Sequence, residues 1–310
     1  MALPPGLEGR LRLPLVCAPM FLVSGPELVI AACRSGVIGS FPALNRRSSE
    51  EFAGWLEEIE AALAGEATAA PFGVNLIVHR SNRRLEADLR VCVAHRVPLV
   101  ITSLGAVPDV VREIHAYGGL VFHDVANRRH AEKAAEAGVD GLVLVCGGAG
   151  GHAGTLNPFA FMAEVRRLFS GTILLAGALS TGRDILAAQA MGADLAYMGT
   201  RFIATRESRA PDAYKRMLCA AGAGDIVYTD AVSGIAGSFL RQSLEAAGVD
   251  PRAPARGDLA AELERGEVRA WRDIWSAGQG VAAIADVPQV AELVARLERE
   301  YAEARARLCA

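Results

Sequence analysis

The chain has 310 residues, 52% of them hydrophobic, and a formal net charge of −3. That much apolar material fills the core of one large α/β domain, although length alone also allows two. The charge gives no electrostatic handle for nucleic acid or an anionic membrane surface, and no apolar run approaches the length of a membrane span.

The chain starts MALPPGLEGRLRLPLV, which lacks the long apolar core of a signal peptide. Cysteines at 17, 33, 92, 146, 219 and 309 form no CxxC pair and no metal-ligand spacing, so reduced thiols, no metal and a cytoplasmic location are expected. Short apolar runs then recur: Leu15 to Met20, Val37 to Ala43, Phe72 to Val78, Pro98 to Leu104, Leu120 to Val125, Gly141 to Cys146, Thr172 to Ala178 and Leu195 to Phe202. Between them, Ser49 to Leu63, Leu85 to His95, Pro108 to Tyr117, Arg128 to Ala137, Pro158 to Phe169 and Gly182 to Met191 carry apolar residues at helical spacing. Near-continuous apolar strands separated by helices predict a parallel sheet buried on both faces, and eight such units predict a closed (β/α)₈ TIM barrel. A doubly wound open sheet would place a GxGxxG turn after the first strand. This chain has Ala18-Pro19-Met20-Phe21 there.

A barrel keeps its active site at the C-terminal ends of its strands, where Pro19, Asn75, Ser103, His123, Asp124, His152, Gly177 and Gly199 fall. After the sixth strand, Cys146-Gly147-Gly148-Ala149-Gly150-Gly151-His152-Ala153-Gly154-Thr155 sets one imidazole among glycines. Such a segment adds little to a core. It predicts backbone passing close to a flat cofactor, with His152 over its reactive face. Gly177 and Ala178 after the seventh strand, with Gly199 and Thr200 after the eighth, occupy positions where barrels bind phosphate through backbone N–H groups, and the Thr200 hydroxyl adds a donor.

Residues 205–285 break the alternation and predict an inserted helical subdomain near the barrel mouth, with Ile226 to Val232 as a strand or extended segment. Residues 1–204 and 286–310 then form the barrel, closed by a helix from about Val287 to Leu308. In WRDIWSAGQGVAAI at 271–284 the tryptophans read as packing anchors, beside a serine and glycines able to face the cavity. Histidines 79, 95, 115 and 130 read as surface or packing residues.

The chain resembles the nitronate monooxygenases, formerly called 2-nitropropane dioxygenases, in PLVCAPM at 14–20, PFGVNL at 71–76, GVDGLVLVCGGAGGHAG at 138–154, LLAGALSTGRDI at 174–185, GADLAYMGTRFIATRES at 192–208 and IWSAG at 274–278. The resemblance implies an FMN-dependent (β/α)₈ enzyme that oxidises alkyl nitronates, and neutral nitroalkanes, with O2 to carbonyl compounds and nitrite, as a monomer or homodimer. It implies Pro19, Met20, Phe21 and Asn75 beside the flavin, and Gly150 and Gly151 as small residues that let the loop approach it. It further implies Gly177, Ala178, Gly199 and Thr200 around the phosphate and His152 as the catalytic base or anion-holding group. Two positions depart from the pattern: some relatives carry a lysine beside the flavin where this chain has Asp124, and a threonine where it has Ile77. Similar flavin barrels reduce quinones or enoyl thioesters with NAD(P)H, so a reductase is the alternative, and a flavin-binding module without turnover is a second.

Overall fold

A computed structural model describes residues 3–105, 108–152, 154–255, 272 and 274–308. Ala153, Trp271 and Cys309 of the motifs above therefore lie outside the described residues, as does part of the 205–285 segment. Among the described residues, eight parallel strands close into a barrel: β1 (Leu15–Cys17), β2 (Ile38–Pro42), β3 (Gly73–Ile77), β4 (Leu99–Ser103), β5 (Leu120–Val125), β6 (Gly141–Val145), β8 (Thr172–Ala176) and β9 (Leu195–Met198). The (β/α)₈ expectation holds, with β1 closing on β9 through Leu15 opposite Ala196 and Cys17 opposite Met198.

Side-chain alternation sorts each strand into a lumen face and a helix face. Leu99 and Ile101 of β4, Phe122 of β5, Val143 of β6, Leu174 of β8 and Leu195 of β9 meet inside the barrel with Val16 and Ile38. The intervening residues, such as Val100, Val121, Leu142 and Ile173, pack under the helices. Both faces are apolar because helices cover the outside and side chains fill the inside, which is why the strands read as continuous apolar runs.

The connecting helices start where their caps dictate. Ser48 caps Ser49–Leu63 by accepting from Glu51 N, Asn127 caps Arg128–Glu136 through His130 N, and Thr181 with Asp184 forms a capping box on Gly182–Ala190. A helix at Pro26–Arg34, absent from the expected set, lies between β1 and β2. Its apolar positions Leu28, Val29, Ala32 and Cys33 are fully buried. The expected eighth strand, Leu195 to Phe202, ends early at Met198, and Thr200–Ile203 turns into a short helix after Gly199.

The long helix Val290–Leu308 seals the barrel seam. Val290, Leu293, Val294 and Leu297 pack onto Leu15, Cys17, Ala196, Met198, Phe202 and Ile185. Arg201, almost fully buried, is held by the Ala204 and Asp286 carbonyls at 3.2 and 3.1 Å and by the Asp286 carboxylate at 3.3 Å, and Asp286 in turn binds Arg296 of that helix. The guanidinium is thus a structural tie between the short helix after β9 and the closing helix.

Within residues 205–285 the strand expected at Ile226 to Val232 is present over its first part, and it has a partner strand that the sequence did not show. The segment contains the helices Asp212–Ala220 and Arg241–Ala246, and also the antiparallel hairpin β10 (Ile226–Thr229) and β11 (Gly237–Leu240). The hairpin extends onto a two-residue strand, β7 (Gly151–His152), so the sheet order is β10-β11-β7.

Gly182, at the start of its helix, tests the seam packing. A Cβ there would lie 2.0 Å from the Leu297 carbonyl oxygen and 2.5 Å from Tyr301 N, both backbone. Gly182→Ala is expected to cost about 1–3 kcal/mol through forced separation of the two helices, read as a lowered midpoint in thermal denaturation; an unchanged midpoint would contradict this packing.

Candidate active site

A cavity of about 1030 Å³ opens at the C-terminal ends of the barrel strands. Pro19, Met20, Phe21, Asn75, Gly150, Gly151, His152, Gly177, Ala178, Gly199 and Thr200 all line it, so the fold gathers every residue singled out from the sequence around one space. Three of the four non-glycine residues with left-handed φ among those described, Leu22, Leu104 and Ala178, also line it. Such strained backbone concentrates where a ligand dictates chain shape.

The first wall follows β1. Asn45 secures it by donating to the Met20 and Ser24 carbonyls at 3.1 and 2.7 Å and accepting from Leu22 N at 2.8 Å. Asn75, expected at the end of its strand, stands in the middle of β3 and donates to Ile101 O at 3.0 Å and to Ser103 Oγ at 3.2 Å, which fixes its amide against β4.

The glycine loop is placed by other parts of the chain. The Gly148 carbonyl accepts from both Ala178 N (3.2 Å) and Gln279 N (2.9 Å). A Cβ on Gly150 would lie 2.9 Å from Ala277 C and Gly278 N, and one on Gly278 would lie 2.6 Å from Gly148 O. Gly150 is therefore small because residues 277–278 cross it, and the flat surface expected against it is, on that side, the protein's own backbone. Gly151 differs: its φ of +69° favours glycine and a Cβ would meet nothing within 4 Å.

The crossing segment is itself anchored. Trp275 stacks on Tyr214 with ring centres 4.9 Å apart, Tyr214 Oη donates to Ser276 O, and Trp275 N donates to Ser243 Oγ at 2.7 Å. Thr200 Oγ1 accepts from Gly278 N at 2.9 Å, so the hydroxyl expected to serve only a phosphate also holds this segment. It keeps its own proton to donate.

His152 sits on β7 opposite Gly237 of β11. Its Nε2 lies 3.4 Å from Ser233 Oγ, and that hydroxyl donates to Ile235 O at 3.1 Å. With the hydroxyl donating to Ile235 O, the Ser233 oxygen is placed to accept from a protonated His152 Nε2. Burial holds the His152 imidazole down to about 4, leaving it neutral at physiological pH rather than poised to titrate there. His123 is also held down to about 4, first by burial and then by His130, and its Nδ1 lies 2.7 Å from Thr102 Oγ1. His130, expected to be a surface or packing residue, lines the cavity rim with Lys133, Arg209 and Arg272. His95 and His115 meet Glu60 and Asp140 away from the cavity.

Three residues of the site were not assigned roles from sequence. Ser180, next to the Gly177-Ala178 turn, has a buried hydroxyl with no partner among the described residues, 2.6 Å from where a Cβ on Gly280 would stand. Ser233 and Tyr197 gave no local signal, because the first lies 81 residues from His152 and the second reads as a strand residue. Asp124 shares the lumen face of β5 with Phe122 and ends it at the cavity floor, where Tyr197 also lies. Its Oδ1 is buried without a partner among the described residues, and burial pushes the carboxyl up to about 7.

These features fit a flavin. The cavity is large and mostly apolar, the turn at Gly177-Ala178 and the start of the short helix at Gly199-Thr200 line its rear, Gly280 beside it stands where a Cβ would meet Ser180 Oγ, and the Asp124 carboxyl lies at its floor.

A family model for nitronate monooxygenase matches residues 9–300. A nitronate monooxygenase from Paraburkholderia phytofirmans is 29% identical, the match covering 93% of this chain and 92% of the relative. A Mycobacterium tuberculosis dehydrogenase of a hydroxy-methyl-oxo-octahydroindene carboxyl-CoA is 30% identical over 83% of this chain and 70% of its own length. The solved structure of a nitroalkane oxidase from Streptomyces ansochromogenes superposes with a TM-score of 0.83 at 26% identity, covering 98% of this chain and all (100%) of that one.

Asp124 generates a pH-dependent prediction. Its folded pKa is raised, so as pH climbs the unfolded chain releases the proton from about 4 while the folded chain keeps it until about 7. The stability this group confers is thus present below pH 4 and lost by pH 7. Asp124→Asn is expected to melt increasingly above the wild type from about pH 4 to pH 7, with a constant gap beyond; parallel melting curves across that range would contradict the buried, unpaired carboxyl.

Proposed function

Because the chain belongs to the nitronate monooxygenase family of flavin-dependent oxidoreductases, we propose that it oxidises alkyl nitronates, and neutral nitroalkanes, with FMN and O2 to a carbonyl compound and nitrite. The observation that carries this reading is a neutral histidine within reach of Ser233, in the cavity that Gly148, Gly150, Gly151, Gly177 and Gly199 also line. Gly177, Ala178, Gly199 and Thr200 would hold the phosphate; Pro19, Met20, Phe21, Asn75, Gly150 and Gly151 would flank the ring. Bound there, the flavin supplies an electron acceptor beside the substrate carbon and a centre that reacts with O2.

The chain's own contribution is to bind, orient and move a proton. His152 is neutral above about pH 4, so its base form is present throughout the working range. Nδ1 takes the proton from the acidic α-carbon of a nitroalkane, while Ser233 holds Nε2–H and prevents the ring from presenting the wrong nitrogen. As the nitronate forms, its negative charge raises the proton affinity of the imidazole, so the imidazolium and the anion stabilise each other. Leu22, Leu104 and Ile235, exposed at the rim, give an alkyl chain an apolar surface to lie on.

A second reading is favoured by one observation. Lys133, Arg209 and Arg272 all line the cavity with His130, more positive charge than a small nitronate needs, and it suits a phosphate-bearing partner such as a carboxyl-CoA thioester or a reduced nicotinamide dinucleotide.

Under the first reading, His152→Ala lowers kcat/KM for a neutral nitroalkane by about 10²–10⁴-fold, measured as nitrite release, while bound flavin is retained; Ser233→Ala lowers it by a smaller factor. Unchanged nitrite release from the alanine variant would remove His152 from the reaction.

A further inference from the structure

The mechanism above leaves His123, Asp124 and Tyr197 of the cavity lining unused, and of these only Asp124 has a buried polar atom without a partner among the described residues. Asp124 stands at the end of β5 on its lumen side, above Phe122, in register with Val143 of β6. The surfaces around it are nearly all neutral. Ser103 ends β4, Val145 ends β6, Ala176 ends β8, and Tyr197 faces the floor from β9. Tyr197 is near enough for an ionised Asp124 to push its phenol further up. His123 is the adjacent residue on the same strand and is itself neutral. His152 lies on β7 and the cations Lys133, Arg209 and Arg272 at the rim, yet burial is the only influence that moves the Asp124 carboxyl. With no cation beside it and Oδ1 buried and unpartnered among the described residues, an ionised carboxylate on this half-buried residue would be a partly desolvated charge without compensation. A carboxylic acid would instead be a donor aimed at whatever covers the floor.

We propose that Asp124 is a cofactor-contacting acid, which carries a proton at the cavity floor and donates it as a hydrogen bond to an acceptor atom of the bound flavin ring. The inference rests on the flavin reading given above. Its electrostatic logic is that a flavin ring presents carbonyl oxygens and nitrogens, which an O–H donor satisfies and a carboxylate repels. Binding therefore favours the protonated form, and by linkage the pH at which Asp124 ionises rises further when the cofactor is present. Asn at this position keeps a donor that does not titrate.

The test is FMN binding to the apoprotein, followed by quenching of flavin fluorescence between about pH 6 and pH 9, with riboflavin in parallel to separate any titration of the phosphate, whose second pKa is about 6. Wild-type Kd is expected to be flat up to about pH 7 and to weaken above it by up to about tenfold per pH unit. Asp124→Asn is expected to keep the low-pH Kd throughout. Calorimetry of the wild type near pH 8 in two buffers of different ionisation enthalpy is expected to show proton uptake, up to about one per flavin. Flavin binding without pH dependence, or with the same dependence in both proteins, or without proton uptake, overturns the role of Asp124. Failure to bind either flavin at any pH overturns the flavin reading itself, and the two failures are distinct in the data.

Discussion

The active-site geometry depends on a backbone-to-backbone crossing. Residues 148–150 and 277–278 approach so closely that neither Gly150 nor Gly278 has room for a Cβ, and the Gly148 carbonyl ties the crossing to the turn after β8. Strand β11 then pairs with Gly151 and His152, so the imidazole is held by a sheet edge rather than by a free loop. Segments far apart in the chain converge on a few ångströms of backbone. A displacement of any one would move His152 relative to the barrel, and this makes the 205–285 segment part of the site's construction.

Burial gives the cavity its electrostatic character. His152 and His123 are held neutral by burial, while Asp124 is kept from ionising by the same cause. Below about pH 7 the interior therefore carries no fixed charge, and Asp124 is the group that introduces one as pH rises further. The cations stay at the rim, where they attract an anionic reactant without neutralising it inside. A reaction that creates or consumes negative charge within such a pocket is sensitive to each hydrogen-bond donor placed there, since few other groups respond to that charge.

Much of this was legible in the sequence because parallel barrel strands are buried on both faces. Runs such as Leu99–Ser103 and Gly141–Val145 are apolar at consecutive positions and stand out from the amphipathic helices around them. Capped helices, such as the one beginning at Ser49, were equally plain. Contacts made at long range were not legible. The pairing of Gly237 with His152, the Ser233 contact and the backing of Gly150 by Ala277 link residues that nothing local relates. The glycines signalled a close approach, but sequence could not say to what. Asp124 stood out as a departure from a resembling family, yet its lumen orientation and lack of a partner emerge only when β5 is placed in the barrel.

The most direct test of the account is anaerobic stopped-flow absorbance of the FMN-loaded protein, mixed in separate experiments with an alkyl-2-nitronate and with NADH or NADPH. The account predicts rapid loss of the flavin absorbance with nitronate and only sluggish loss with reduced nicotinamide, with nitrite appearing once air is admitted. Rapid bleaching by reduced nicotinamide and none by nitronate would contradict it.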